Sequence, residues 1–236
     1  MPRSSPAPAR SSTENGTSIV ALPGDEDAAA ALLERAVRRL ARRDKRLAAV
    51  VKAVGPCRLR RAPGGFPRLF QAILRQQLSG KAAATIAARV HAACGGIVAA
   101  EAVAALDDAA FARAGVSRQK RDYLRGLAAM ALASPTIFDE LEALPDDAAI
   151  AALITVKGIG RWTADMYLMF ALGRLDVLPL GDLSIRAAIT EIYGLRSSAR
   201  PAEFAAVAEV WRPYRSIVSW YFYAYLDRDK QTSRAK

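Results

Sequence analysis

An all-α fold is predicted by three features of the sequence. Apolar residues recur at intervals of three and four, the spacing of helices that bury one face. Sustained alternation of apolar and polar residues, which would indicate strands, is scarce. Glycine and proline cluster between the periodic segments, where they interrupt helices. With 236 residues, 52% of them hydrophobic, the chain is long enough for one large domain or two lobes with a sizeable core.

The N-terminal quarter is marked by positive charge. Residues 1–23, rich in Ser, Pro, Thr and Asn, are predicted to be a disordered tail. A helix is predicted to begin near Asp25 or Asp27 and to run through Leu40. Eleven Lys and Arg residues stand between positions 35 and 61 against one acid, Asp44. This basic strip either follows a DNA backbone or is a solvated helix face.

The whole chain is strongly basic, with a formal net charge of +11 and an isoelectric point of about 10.1. A polyanion, nucleic acid ahead of membrane, is the natural partner of such a chain, and a soluble Arg-rich protein is the alternative. No uncharged apolar run reaches the roughly 18 residues of a membrane span, and the N-terminus lacks a secretory pattern. We therefore expect an intracellular protein that does not bind membranes.

Residues 66–93 are predicted to form two helices joined by a polar turn. The break is Gln76-Gln77-Leu78-Ser79-Gly80, and Ser79 is the expected N-cap of the second helix. Short helices should follow over residues 101–106 and 107–114, and a long one, capped by Ser117, should end before Pro135. This polar turn could also have no binding role and contact only water. The cations in the first turn of the long helix face either phosphate or solvent: Arg118, Lys120 and Arg121.

A tight helical hairpin is predicted around Gly158 and Gly160. Asp146 is the expected N-cap of its first helix. Gly158 can adopt the positive φ that ends this helix, and Gly160 allows another surface to approach the backbone. The first N–H groups of the second helix, from about Ile159 to Arg161 onward, would then point outward and form an anion site. The alternative is an ordinary pair of helices whose glycines serve only packing.

Asp182 precedes a new apolar-periodic run that closes at Gly194, so the sequence predicts it to be a helix N-cap. That role is local and worth ~1 kcal/mol, but the helix dipole at this position also favours the ionised carboxylate. A further helix should span residues 201–210. The final helix is unusually aromatic between Trp220 and Tyr225, which mostly indicates core packing.

Cysteine and histidine are too few for a protein-held metal centre. Cys57 and Cys94 form no Cys-x-x-Cys pair, which excludes an iron–sulfur cluster on four protein thiolates and argues against a Cys-based zinc site. His91 is the only histidine, so no histidine cluster is possible. We expect reduced thiols, no metal and no cofactor.

A family resemblance rests on the run Val156-Lys157-Gly158-Ile159-Gly160-Arg161-Trp162-Thr163-Ala164, on Asp176 to Pro179 and on Gly181-Asp182-Leu183. These residues and their spacing resemble the helix-hairpin-helix (HhH-GPD) DNA glycosylase superfamily, most of all its 3-methyladenine DNA glycosylase II branch. The resemblance implies a two-lobed helical fold with a DNA and base cleft between the lobes. One lobe would comprise 24–65 plus 151–236, with the hairpin and Asp182, and the other 66–150, with the polar turn.

The resemblance also implies roles for individual residues. Asp182 would be the catalytic carboxylate, and Gln77, with Leu78 beside it, would wedge into the duplex. The hairpin would hold the DNA backbone through Gly158, Ile159, Gly160, Arg161 and Thr163. The base pocket would comprise Trp162, Met166 and Tyr223, although the family more commonly has Trp at the last position.

The activity implied is excision of alkylated bases, such as 3-methyladenine or 7-methylguanine, from double-stranded DNA by a monomeric enzyme that flips the base out. Bifunctional members carry a lysine nucleophile where this chain has Trp162, and the neighbouring Arg161 cannot form an imine. The sequence therefore predicts a monofunctional glycosylase. Two alternatives stay open: a non-enzymatic module that binds DNA structures, and a bifunctional glycosylase/lyase for oxidised bases. A position for Asp182 at the mouth of a cleft would argue against the first.

Overall fold

The described part of the chain is entirely helical. The computed structural model describes residues 19–196 and 198–234, with side chains through residue 228. Most of the predicted tail lies outside these residues. Over them, thirteen α-helices form and one turn of 3-10 helix follows Ala208. The β pairing present in the same residues is a single antiparallel bridge between Ala21 and Arg174. The predicted all-α class is confirmed.

The helices are short and closely spaced, as the glycine and proline pattern predicts. In chain order they are α1 (Glu26–Arg43), α2 (Lys45–Val54), α3 (Phe66–Arg75), α4 (Gly80–Ala93), α5 (Ala100–Ala105), α6 (Asp108–Ala114), α7 (Arg118–Ala133), α8 (Ile137–Ala143), α9 (Asp146–Ile154), α10 (Arg161–Phe170), α11 (Leu183–Tyr193), α12 (Pro201–Ala208) and α13 (Arg215–Arg234). The sequence did not predict α8, which lies directly after the proline that ends α7.

The predicted N-caps are confirmed with one exception. The hydroxyls of Ser79 and Ser117 accept from the third N–H of α4 and α7, and Asp182 caps α11. Asp146 was wrongly predicted as a cap: it is the first residue of α9, and Pro145 occupies the N-cap position. Because proline fixes φ and lacks an N–H, it fits at the helix start, and the Asp146 carboxylate is left to approach Arg174 Nε at 3.6 Å.

The basic strip comprises the end of α1, all of α2 and a non-helical segment through Arg61, and Asp44 ends α1 and caps α2. Its Oδ1 accepts the backbone N–H groups of Arg46 and Leu47, both at 3.0 Å. Its Oδ2 accepts the Tyr193 hydroxyl at 2.7 Å and the Trp211 indole N–H at 2.9 Å. Burial raises the pKa of this carboxyl, but the four hydrogen bonds together hold the pKa below its ordinary value.

Buried apolar side chains form two separate cores. One is built by α3 to α10 and includes Phe70, Leu124 and the hairpin residue Leu153. The other is built by α1, α2 and α11 to α13 and centres on Trp211 and Phe222. The hairpin therefore shares its core with residues 66–150. This grouping concerns buried side chains, and the assignment of 24–65 plus 151–236 and of 66–150 to separate lobes stays a prediction.

Candidate active site

Asp182 lies at the start of α11 and is half-buried. Its Oδ1 accepts the backbone N–H groups of Ser184 at 2.8 Å and Ile185 at 3.3 Å. Its Oδ2 accepts the indole N–H of Trp162 at 2.7 Å and the hydroxyl of Tyr223 at 2.9 Å. An ionised carboxylate has about four acceptor sites. All of them are therefore used, and all four partners are donors.

Tyr223 reaches Asp182 from the middle of α13. Its hydroxyl also lies 3.8 Å from the sulfur of Met166. Burial, followed by the charge and the hydrogen bond of Asp182, raises the pKa of this phenol well above its ordinary value. Tyr223 consequently stays protonated at neutral pH and acts as a donor to the carboxylate.

Trp162 stands between Asp182 and an open cavity. It is the second residue of α10, and 47% of its surface is exposed. The cavity, of about 690 Å³, lies between α3 and α10 and is lined mainly by apolar surface. Trp162 and Met166 line it, whereas Asp182 and Tyr223 lie behind them and are not among the lining residues. Other lining residues include Leu69, Gln77, Gly160 and Phe170.

Gly158 has the predicted positive φ but does not end the first hairpin helix, because α9 ends at Ile154 and a turn of four residues follows it. Its φ is +97°, and a Cβ at this position would lie 2.3 Å from a ring carbon of Tyr123 on α7. Its carbonyl accepts the side-chain N–H of Gln76 at 2.8 Å. The glycine therefore serves packing as well, and the hairpin turn is held against both α7 and the polar turn after α3. Around Gly160, by contrast, an added Cβ would meet no atom within 4 Å.

The free donors of the hairpin begin one residue later than predicted. The N–H of Ile159 bonds to the Val156 carbonyl at 2.9 Å, and the Ile159 side chain is buried. The following N–H groups, of residues 160–163, have no acceptor among the described residues and open the N-terminus of α10. Thr163 as a whole residue is 5% exposed, so its side chain is not available to a ligand. An anion fits this site.

The predicted wedge turn carries backbone strain at its tip. Gln77 has φ of +57°, the only positive φ among non-glycine residues of the described chain, and its side chain is exposed at the cavity. Leu78 is half-buried and faces a groove toward α4 and Val116. Such strain persists when surrounding contacts hold it, and it concentrates at functional sites.

Lys120 supports this turn, which the sequence did not predict. Its Nζ donates to the carbonyls of Leu74 at 2.7 Å and Gln76 at 2.5 Å, at the end of α3. Burial lowers the pKa of this ammonium. Lys120 therefore holds the end of α3 through two backbone carbonyls, and the residue is half-buried. Arg121 is also occupied, by ion pairs with Asp108 and Asp122, whereas Arg118 is exposed.

Asp165 is a second site residue that sequence reasoning missed. Its carboxylate is 2% exposed and accepts Arg161 Nε at 2.9 Å. Burial raises the pKa of this carboxyl, and Arg161 opposes that shift. The sequence did offer one indication of this role, because Asp165 is an acid on the side of α10 that is buried. Because Arg161 is bonded one turn along its own helix, its guanidinium is held beside the open N–H groups.

The side chains that could bind a metal ion are scattered over the fold. Across residues 19–196 and 198–228, no group of three or more His, Cys, Asp or Glu side chains could hold a metal ion. Cys57 and Cys94 are free and half-buried, and burial raises the pKa of the Cys57 thiol to about 11. The helices that the structure describes include none that is both long and apolar enough to cross a bilayer.

Comparison with known proteins identifies the family. Residues 70–213 match the model of the HhH-GPD superfamily of base excision DNA repair proteins. DNA-3-methyladenine glycosylase 1 of Schizosaccharomyces pombe is 32% identical over 183 residues, which cover 76% of this chain and 80% of that protein. The crystal structure of a DNA-3-methyladenine glycosidase from Bacillus halodurans shares 33% identity, with a TM-score of 0.72 over 79% of this chain and 87% of that one.

A further similar structure is that of a relative bound to DNA. The 3-methyladenine DNA glycosylase of Schizosaccharomyces pombe in complex with abasic DNA has a TM-score of 0.69 and 30% identity, over 80% of this chain and 94% of that one. This chain combines a helical hairpin with an open N-terminus, an acid and an apolar cavity, and it matches a superfamily of base excision DNA repair proteins. The chain belongs to the HhH-GPD superfamily, and the predicted family and fold are confirmed.

Proposed function

We propose that this chain is a monofunctional DNA glycosylase that hydrolyses the N-glycosidic bond of alkylated bases in double-stranded DNA. The observation that carries the proposal is the position of Asp182. It lies directly behind the aromatic wall of a cavity of about 690 Å³, a size typical of ligand pockets. The relatives named DNA-3-methyladenine glycosylases support the alkylated base as the substrate.

Asp182 would act on the sugar. Cleavage of the bond passes through a transition state in which C1′ gains the positive charge of an oxocarbenium ion. A carboxylate held by four donors presents a fixed negative charge to C1′, and it can orient or deprotonate the attacking water. Tyr223, which stays protonated, would keep the carboxylate in place.

The cavity would receive the flipped base. Trp162 and Met166 supply an aromatic and polarisable wall. Because 3-methyladenine and 7-methylguanine are cationic in DNA, their attraction to an aromatic face exceeds that of a neutral base. The positive charge also makes them good leaving groups, so little protonation is required. Gln77 would fill the gap in the duplex and offset part of the few kcal/mol that unstacking costs.

Strand cleavage is not expected from this site. A bifunctional enzyme needs an amine nucleophile near C1′, and the residues that line the cavity include no lysine. Lys120, the lysine that supports the wedge turn, is engaged by two carbonyls. The product would therefore be an intact strand with an abasic site, and reduction with borohydride during turnover should trap no covalent DNA adduct.

DNA would be held by the backbone of the hairpin. The open N–H groups of residues 160–163 and the guanidinium of Arg161 match a phosphate in charge and in donor geometry. We propose that the protein binds the duplex as a monomer inside the cell. A non-enzymatic binding module would need this hairpin and the basic surface, but it would not need the Asp182 site beside an apolar cavity.

Replacement of Asp182 by Asn tests the proposal. Asparagine is also a good N-cap, so α11 should form normally in the variant. Loss of the negative charge should lower the single-turnover rate of 7-methylguanine release by about 100-fold or more. Affinity for undamaged duplex should change little. Near wild-type release by Asp182→Asn, or no release by the wild type, would disprove the assignment.

A further inference from the structure

The acceptor sites of Asp182 are already full, although a water molecule attacking C1′ needs one of them. Two of the four donors are backbone N–H groups fixed in α11, and the third, the Tyr223 hydroxyl, is half-buried on α13. The fourth, Trp162, is 47% exposed and belongs to the first turn of a different helix. Of the two side-chain donors, Trp162 is therefore the more exposed and the freer to leave.

Trp162 also lines the cavity proposed for the base. The same indole thus covers the carboxylate with its N–H and offers its ring to whatever enters the cavity. We propose that Trp162 determines specificity: its N–H stays on Asp182 until a base that stacks strongly on the indole draws the ring away and admits water. This proposal rests on the glycosylase function proposed above.

Discrimination between alkylated and normal bases follows from the free energy needed to break the hydrogen bond between Trp162 and Asp182. A hydrogen bond to a charged group is strong enough that the bond would be broken in about one molecule in ten or fewer. A cationic alkylated base offsets that cost by cation–π attraction to the ring, whereas an unmodified base offers weaker stacking. Normal bases that enter the cavity would meet a carboxylate that is still covered.

The chain contains its own control for this idea. Trp211 donates its indole N–H to Asp44 at 2.9 Å and is fully buried. Trp220 is the third and last tryptophan in the sequence. Three indole N–H signals are therefore expected in a nitrogen–proton correlation spectrum, and Trp162→Phe and Trp220→Phe assign them.

The experiment adds two duplexes to the wild-type protein, one undamaged and one with a 7-methylguanine nucleoside made resistant to hydrolysis by a 2′-fluorine. The lesion duplex should move the Trp162 indole signal and raise its exchange rate with water by about tenfold or more. The undamaged duplex should leave it in place, and the Trp211 signal should not change with either. An unmoved Trp162 signal in a lesion complex would overturn the proposal. Release of 7-methylguanine, measured in parallel, tests the proposed function separately.

A second inference comes from the exposed face of α1, which is independent of the site. The basic face is defined here as Arg35, Arg39, Arg42 and Arg43, which recur at helical spacing opposite the buried side of the helix. In the described structure none of them forms an ion pair, whereas neighbouring Arg38 pairs with Glu34. The face is about 12 Å long, which equals about three base pairs of duplex.

The C-terminal end of this face lies near the end of α11 that is far from Asp182, because Asp44, which follows Arg43, accepts the Tyr193 hydroxyl at 2.7 Å. Arg46, on the helix after α1, donates to the Tyr193 carbonyl at 2.6 Å, at the C-terminal end of α11. Asp182 caps the other end of α11, about 16 Å away along the helix. We infer that the basic face binds the phosphate backbone of duplex DNA outside the cleft and contributes to affinity without contributing to chemistry.

Four changes of Arg to Gln on the basic face test this inference, and the matched four Arg to Lys changes keep the charge. Affinity for undamaged duplex is measured by fluorescence anisotropy over a range of KCl concentrations. The Gln variant should lower the slope of log affinity against log salt by about 0.9 for each phosphate that the face no longer neutralises, up to about 3.6. The Lys variant should retain the wild-type slope, and single-turnover excision at saturating protein should match the wild type in both.

An unchanged slope in the Gln variant would overturn the inference. Loss of binding to phosphatidylserine vesicles, with duplex binding intact, would also overturn it, because the partner would then be an anionic membrane. Neither result depends on base excision, since the duplex is undamaged.

Discussion

Two aspartates in this chain hold the same set of hydrogen-bond donors. Each caps a helix through two backbone N–H groups, and each accepts one indole N–H and one phenol O–H on its other oxygen. The partners are Trp211 and Tyr193 at Asp44, and Trp162 and Tyr223 at Asp182. The donor set alone therefore does not distinguish the structural carboxylate of Asp44 from the proposed catalytic carboxylate of Asp182.

The surroundings of the indole distinguish them. Trp211 is fully buried and packs edge-on against Phe222, with ring centroids 5.4 Å apart. Trp162 is half exposed beside an open cavity. Four donors stabilise a carboxylate in either place, but the site of Asp182 alone has space for a substrate on the far side of the indole. If Asp182 is the catalytic acid, as proposed, then access of a substrate and not the set of donors separates it from Asp44.

The largest expected effect is a difference in unfolding free energy between variants of Asp44 and variants of Asp182. Asp44→Ala leaves a buried indole N–H and two backbone N–H groups without acceptors, so it should lower the free energy of unfolding by about 3 kcal/mol. Asp182→Ala should cost only about 1 kcal/mol, because water can replace the lost acceptor. Urea unfolding measures both, and equal losses would mean that the two sites are alike.

Variants of Tyr223 and Tyr193 should likewise differ in whether they affect base release or stability. Tyr223→Phe removes a donor from Asp182 and should slow single-turnover base release by about tenfold, with little loss of stability. Tyr193→Phe removes a donor from Asp44 and should cost about 1 kcal/mol in unfolding free energy without slowing release. Excision assays and thermal melts on both variants provide the measurement. A slowed Tyr193→Phe would contradict the separation.

The smallest effect concerns pH. Because the folded-state pKa of Asp44 lies below its unfolded value of about 3.9, its ionisation stabilises the fold above that pH. This contribution should be lost as the pH falls through the folded-state pKa. The difference in unfolding free energy between wild type and Asp44→Asn should therefore shrink between about pH 5 and pH 2. A difference independent of pH would refute the role of the charge.

Local patterns predicted much of this molecule. Ser79, Ser117 and Asp182 are caps because short polar side chains before apolar-periodic runs bond to the free N–H groups, and the sequence shows both. Asp146 was misassigned because Pro145 changes where the helix begins. The proposed roles of the site residues come from the family resemblance, and they stay predictions.

Contacts between segments that are distant along the chain could not be predicted from the sequence. The role of Lys120 depends on α7 meeting the end of α3, and no local pattern distinguishes that from a solvated first turn. The covering of Asp182 depends on residues 20 and 41 positions away along the chain. Asp44 likewise was counted as one acid in a basic strip, and its place in the core appears only in the fold.

The bond between the Gln76 side chain and the Gly158 carbonyl ties two elements that would touch different parts of a duplex. Gln77, the adjacent tip, would enter the base stack, while the N–H groups just beyond Gly158 would grip a phosphate. Tyr123 packs against Gly158 as well, so the hairpin turn is held from two sides. We therefore expect the distance between the Gln77 tip and these N–H groups to be the same in the free protein and in a DNA complex.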